Sequence, residues 1–413
     1  MTVDSRERVL EAVNHVAGPV PIDFGGHRSS GIMAGAYVKL RECLALPRRP
    51  VRVYDVVQQL AVIEDDVLDR FSVDTIELGR GFALEESQWK PWCLPDGTEC
   101  LIPKWVDVRQ DGDDWVISSV TGRPVGTQNA GALYFDSTYW PYLNGVPEDL
   151  SGLPAAMADN LWSTPAPPGP HESAKADLAS GARKLRGSTD RAILGLFGGN
   201  LMEWGQFLCR NDNFLTMLAG DKAAAQRLIE ALTEVHLANL AGYLAAVGDY
   251  IDVIVFGDDL GMQTGPQISP DTYRSLFKPY HEKLWRRAKE LADVKVMLHC
   301  CGGVRPLLDD LIDAGLDAIN PVQTSCQGME PAGIKKDFGD RICLWGGGCD
   351  TQQMLPHATV EQVRTHVLER LEAFSPGGGF VFQQVHNIMA DVPPENITAM
   401  FDAVAEFNGR LAR

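Results

Sequence analysis

The chain has no run of about 18 apolar residues, the minimum for a bilayer-crossing helix, so no membrane partner is expected. It has no surplus of basic charge either. Thirty-seven lysines and arginines face 55 aspartates and glutamates, a net charge of −18. Such a chain repels phosphate backbones, so no nucleic-acid partner is expected. The balance suits a small-molecule enzyme or a partner with a basic patch. The first residues, MTVDSRERVLEAVNH, carry charge where a signal peptide needs an apolar stretch, so the expected compartment is the cytoplasm. Cysteines number only nine, odd and irregularly spaced, which argues against a disulfide framework. They read better as buried thiols or metal ligands. No GxGxxG follows a strand-like segment, which weakens a dinucleotide-binding reading.

What is present is a chain of 413 residues, 45% hydrophobic and 22% charged, long enough for one large barrel or two ordinary domains. Residues 4–17 read as an amphipathic helix and 19–25 as a short buried strand. Tyr54–Phe71 reads as helical from the spacing of Val57, Leu60, Val67 and Leu68, and 73–79 as a strand. The segment 85–150 alternates apolar and polar residues around Asp–Gly turns at 96–97 and 111–112, as an inserted antiparallel β-meander would. A Pro-rich stretch at 163–174 reads as an exposed loop. Beyond residue 185, strands (191–197, 251–257, 294–300, 316–320, 341–346 and 379–385) alternate with helical patterns, which implies a parallel sheet. Adding 19–25 and 73–79 makes eight strands. The expectation is a single α/β domain over 1–413, a (β/α)₈ TIM barrel with the meander inserted after an early strand. A doubly wound open sheet is the alternative.

Chemically rich residues fall at the carboxyl ends of these strands, where a barrel places its active site. Arg28 follows the first strand. Asp258, Asp259 and Gln263 follow 251–257. The stretch VMLHCCGGVRP ends a strand in His299, Cys300 and Cys301. GGGCD presents Cys349, and the last strand runs into Gln383, Gln384 and His386. Strand side chains alternate, so His299 and Cys301 share one side and Cys300 takes the other. With Cys349, brought over by the Gly346–Gly348 triplet, they would make a three-ligand zinc site with an open fourth position. Strand-end cysteines are equally at home in a core. Asp258, Asp259 and His386 are the candidates for catalysis, with His386 also readable as a residue that supports the ligands. Arg28, Gln263 and Gln383 are the candidates for holding substrate.

Several segments resemble the uroporphyrinogen decarboxylase superfamily: FGDDLGMQTGPQISPDTYRSLFKPYHEKL (256–284), LHCCGGVRPLLDDLIDAGLDAINPVQ (298–323), WGGGCDTQQMLP (345–356), VHNIMADVPPENI (385–397), and the N-terminal VPIDFGGHRSSGI and VYDVVQQLAVIEDDVLDRF. The resemblance covers most of the chain outside 85–150 and implies the barrel. That superfamily holds metal-free decarboxylases of tetrapyrroles, and corrinoid-dependent methyltransferases with zinc in an H-x-C…C pattern. His299, Cys301 and Cys349 match that pattern, and the stretch GGHRSSG offers only Arg28 where the decarboxylases are arginine-rich. The resemblance therefore implies a zinc-dependent methyltransferase acting between a corrinoid and a small donor or acceptor such as a thiol. No D-x-H-x-x-G signature is present, so the methylcorrinoid is expected on a separate corrinoid-carrying protein. The alternatives are a cofactor-free decarboxylase and a non-catalytic corrinoid- or metal-binding protein. Barrels of this type often pair, so a homodimer is the assembly to test.

Overall fold

The structure, a computed structural model, describes residues 4–81, 86–164 and 172–411. One parallel sheet holds seven strands: β1 (Thr75–Glu77), β2 (Ala192–Gly198), β3 (Val253–Gly257), β4 (Lys295–His299), β5 (Ala318–Asn320), β6 (Cys343–Trp345) and β7 (Phe380–Val381). Each pairs in parallel with the next in chain order. The residues around Ile22 close the ring. Asp23 N–H donates to Phe382 O at 2.8 Å, Phe382 N–H donates to Pro21 O at 2.9 Å, and Asp74 N–H donates to Ile22 O at 2.8 Å. Pro19 and Pro21 have no N–H to give, which keeps this eighth member to a single bridge rather than a full strand. The result is the expected (β/α)₈ barrel.

Strand alternation sorts the side chains into two layers. Leu194, Val253, Val255, Met297, Ala318, Trp345 and Val381 fill the barrel interior, and Val9, Ala12 and Val13 of the helix Ser5–Val13 join the same cluster. The opposite faces of the strands, with Ile254, Phe256, Leu298 and Ile319, pack against the outer helices. The longest of these helices, Lys222–Val247, is held at its start by Asp221, whose carboxylate accepts the Ala224 N–H at 3.1 Å. One step past the apolar interior layer come polar side chains at the carboxyl ends: His299 two residues after Met297, Asn320 two after Ala318, Gln383 two after Val381. The sequence thus places a greasy plug below and a polar floor above.

The segment after β1 is antiparallel, as expected. Trp89–Cys93 pairs with Glu99–Pro103, and Asp107–Asp111, Asp114–Ser118, Pro124–Gln128 and Asp136–Ser137 form a four-stranded meander. The helix expected at Tyr54–Phe71 is largely absent. Val51–Asp55 is a strand, and only Asp65–Arg70 is helical. Val51, Val53 and Asp55 are buried while Arg52 and Tyr54 are less so, a period of two that pairs with the inserted Glu99–Pro103 strand. Tertiary pairing overrode the helical spacing. The Pro-rich stretch falls largely on 165–171, outside the described residues, although Glu172–Arg186 is helical. Among the described residues no helix is long and apolar enough to cross a membrane.

Candidate metal centre

His299 closes β4, and the strand's alternation turns His299 and Cys301 toward the barrel axis. Cys300 points out and is fully buried, with its sulfur 3.2 Å from the Leu260 N–H. Cys301 Sγ lies 3.5 Å from His299 Nε2. The third member is His386, from the loop after β7, whose ring centroid is 5.7 Å from that of His299. One ligand atom from each of His299, Cys301 and His386 lies within 4.8 Å of the other two. Tetrahedral zinc with bonds of about 2.0–2.3 Å sets neighbouring ligand atoms roughly 3.3–3.8 Å apart, so the trio fits after closing by up to about 1.5 Å. Two imidazoles and one thiol are a donor set suited to zinc, and three protein ligands leave a fourth position open.

Protonation agrees with that use. Burial, then the charge His299 would carry, lowers His386 to about 3, so its imidazole stays neutral. Burial, then Asp259, pushes the Cys301 thiol well above its usual range, so without a cation it keeps its proton. A bound cation would take that proton's place. The loop after Cys301 is held by close backbone packing. Gly302 has φ +96°, and a Cβ there would lie 2.4 Å from the carbonyl carbon of Gly261. That glycine begins the small hairpin Gly261–Met262 with Gly265–Pro266.

Behind His299 runs a chain of buried polar side chains. Asn320 Oδ1 is 2.8 Å from His299 Nδ1, and Asn320 Nδ2 donates to Gln383 Oε1 at 2.7 Å and to Trp345 O at 3.2 Å. Gln383 Oε1 is 3.1 Å from His27 Nε2, and Gln383 Nε2 donates to Ser29 O at 3.2 Å. The Ser29 N–H donates to His27 Nδ1 at 3.3 Å. Burial lowers His27 to about 3, so it too is neutral. Behind it, Asp23 accepts the Trp345 indole N–H at 2.8 Å.

The two aspartates after β3 separate by the same alternation. Asp259 reaches the site: its Oδ1 accepts the Cys301 N–H at 2.8 Å and lies 3.9 Å from His299 Nε2. Asp258 turns outward and is fully buried. It accepts the N–H groups of Met202 and Glu203, both at 3.0 Å, and meets His281 Nε2 at 3.0 Å. It therefore holds the start of the helix Met202–Cys209 rather than facing the mouth. Glu203 joins this acidic group: burial, then Asp259 and Asp258, pushes its carboxyl well above the usual range. Nothing in the sequence distinguishes Glu203 from any acid in a helix's first turn. Asn320 was also missed, although a polar residue ending the apolar strand LDAIN was a usable sign.

Cys349 does not join His299 and Cys301. Gly346 and Gly347, with φ of +90° and +82°, turn the chain after β6. Cys349 then pairs with Gln384 and lies fully buried in the apolar layer between barrel and helices. Asp350 and Arg370 are the charged groups that bear on it, after burial raises its thiol. His386, expected as a candidate for catalysis or for supporting the ligands, stands instead as the third donor beside His299 and Cys301. Gln383 is fully buried within the polar chain rather than facing a ligand. Arg28 sits near the rim, about a quarter exposed, with its Nε 3.3 Å from the buried Asp55 carboxylate. Gln263 lies exposed in the small hairpin, its Oε1 accepting the Cys326 thiol at 3.3 Å.

Residues 205–407 match the family model described as Uroporphyrinogen decarboxylase (URO-D). Similar curated proteins include the uroporphyrinogen decarboxylases of Psychromonas ingrahamii, 33% identical over 35% of this chain and 39% of that protein. Another is that of Alkalilimnicola ehrlichii, 28% identical over 47% of this chain and 50% of that protein. The matches thus span between two-fifths and half of those relatives' length. Among solved structures, a methyltransferase from Methanosarcina mazei superposes with a TM-score of 0.58, covering 98% of this chain and 99% of its own at 18% identity. At that identity the likeness speaks for the fold.

Proposed function

We propose, from the chain's place in the uroporphyrinogen decarboxylase superfamily, that it is a zinc-dependent methyltransferase moving a methyl group between a corrinoid protein and a small acceptor or donor such as a thiol. The observation that carries the reading is the convergence of His299, Cys301 and His386 within 4.8 Å at the barrel's carboxyl end. The methyltransferase from Methanosarcina mazei shares the fold over its whole length.

His299 Nε2, Cys301 Sγ and His386 would hold the ion. When bound, the zinc supplies a Lewis acid at which a substrate thiol loses its proton near neutral pH. The chain's own residues do the rest. The Cys301 N–H is pinned by Asp259, which fixes the sulfur's direction. The Asp259 carboxylate, about a third exposed, is placed to take a proton released at the mouth and pass it to water. Asp258 anchors the helix Met202–Cys209 beside the site, so its role is support. Arg28 and Gln263, at the rim, are candidate contacts for the substrate or for the corrinoid carrier.

The curated relatives favour a second reading, metal-free decarboxylation. Against it, the Arg28 guanidinium is engaged by Asp55, which leaves little positive charge in that stretch for a polycarboxylate. The test incubates purified, zinc-loaded protein with methylcobalamin and a panel of thiols, following the loss of the methyl–cobalt absorbance and the thioether formed. A parallel assay measures carbon dioxide from uroporphyrinogen. Thiol methylation abolished by His386→Ala supports the proposal. Decarboxylation that survives Cys301→Ala overturns it.

A further inference from the structure

We infer that Asn320 is a positioning residue that holds His299 as the Nδ1–H tautomer, leaving Nε2 bare toward Cys301 and His386. The purpose of this arrangement rests on the metal-site reading above; its geometry does not. The argument runs from two backbone carbonyls, which can only accept. Trp345 O is 3.2 Å from Asn320 Nδ2, so that end of the side-chain amide must be the donor. Turning the amide over would set its oxygen against Trp345 O and Gln383 Oε1, two acceptors, inside a fully buried site. Asn320 Oδ1 is therefore the atom facing His299 Nδ1 at 2.8 Å, and Nδ1 must carry the proton. In a neutral imidazole that leaves Nε2 with a free lone pair. Nε2 is the atom 3.5 Å from Cys301 Sγ.

Ser29 O repeats the logic one link back. It fixes Gln383 Nε2 as donor, so Gln383 Oε1 faces both Asn320 Nδ2 and His27 Nε2. His27 must then donate from Nε2, and its Nδ1 accepts the Ser29 N–H. The two histidines are thus committed to opposite tautomers by one chain of hydrogen bonds with a single consistent direction. The chain joins the barrel's first segment, β5 and the end of β7 to β4, so the orientation of the ligand is built into barrel closure.

The test reads the tautomers directly. Metal-free protein labelled with ¹⁵N-histidine at pH 8 gives each ring's proton position by long-range ¹H–¹⁵N NMR. The expected result is Nδ1–H for His299 and Nε2–H for His27. Asn320→Leu should release His299 toward the Nε2–H form and weaken zinc binding about 10- to 100-fold by chelator competition. Asn320→Asp keeps an acceptor for Nδ1–H but sets its second oxygen against Trp345 O and Gln383 Oε1, so His299 should stay Nδ1–H at a cost in stability, which a merely space-filling role would not predict. Gln383→Leu should leave His299 as Nδ1–H, because Trp345 O still fixes the Asn320 amide, and His27 as Nε2–H, because the Ser29 N–H still faces its Nδ1. An Nε2–H His299 in the wild-type protein overturns the inference, as does an Asn320→Leu variant that keeps Nδ1–H. No metal, substrate or turnover enters the NMR measurement, so failure of methyl transfer leaves its result standing.

Discussion

Replacing His386 with alanine should strip zinc from the protein, whereas Cys349→Ala should not. The size of the effect follows from sharing. Zinc sites in small peptides are worth about 10–16 kcal/mol over four ligands, or roughly 3–4 kcal/mol per ligand. Losing one protein ligand therefore predicts about a 10²- to 10³-fold drop in affinity. His386 is one of the three donors within 4.8 Å, and its removal opens the site to water without touching the core. Cys349 is fully buried among apolar side chains, so Cys349→Ala should cost of order 1 kcal/mol of stability through a small cavity and leave zinc affinity within about twofold. His386→Cys should keep much of the affinity, since a thiolate is an equally good zinc donor. The assay is competition against a chromophoric chelator, with elemental analysis after desalting and circular dichroism to confirm folding. Zinc lost from Cys349→Ala but kept by His386→Ala would refute the assignment of ligands.

Two further outcomes test the frame around the site. His236 lies buried against Asn200 O at 3.0 Å, and burial lowers its pKa from 6.5 to about 4. The folded chain then refuses a proton that the unfolded chain accepts, so this histidine's share of stability, full above pH 6.5, is lost as pH falls toward 4. Between pH 7 and 5 the wild type should lose about 2 kcal/mol more than His236→Gln in urea titrations, and equal losses would refute the reasoning. Gly302→Ala would place a methyl 2.4 Å from the Gly261 backbone at φ +96°. It should cost about 1–3 kcal/mol and lower zinc content, while Gly220→Ala, with nothing within 4 Å, should do neither. Urea midpoints and elemental analysis of the pair decide it.

The barrel and two members of its candidate metal trio were legible because both depend on a period of two that begins in the buried run of β4. Met297 faces inward, so His299 and Cys301 must, and Cys300 must not. The same count from Val255 through Gly257 sends Asp259 into the site and Asp258 out to the helix at Met202. It also sends Gln383 inward from Val381 and Gln384 out to Ser30 O. These sortings are available in the sequence, and they separate Asp258, behind the strand, from Asp259, at the mouth. The helix expected at Tyr54–Phe71 failed for another reason: its strand has its partner some fifty residues away in the insertion, which no local window contains. Cys349 failed for a third. Counting in twos from Cys343 and Trp345 points residue 349 inward, but two glycines at positive φ stand in between, and each breaks the count. A left-handed glycine at a strand end is therefore the place to stop propagating inside and outside along a chain. His386 shows the converse: it lies off the inward parity of Val381 and Gln383, and it reaches the trio only because the chain has left the strand. For a site built at a barrel rim, residues still in register can be assigned by arithmetic, whereas those one turn beyond it need the fold.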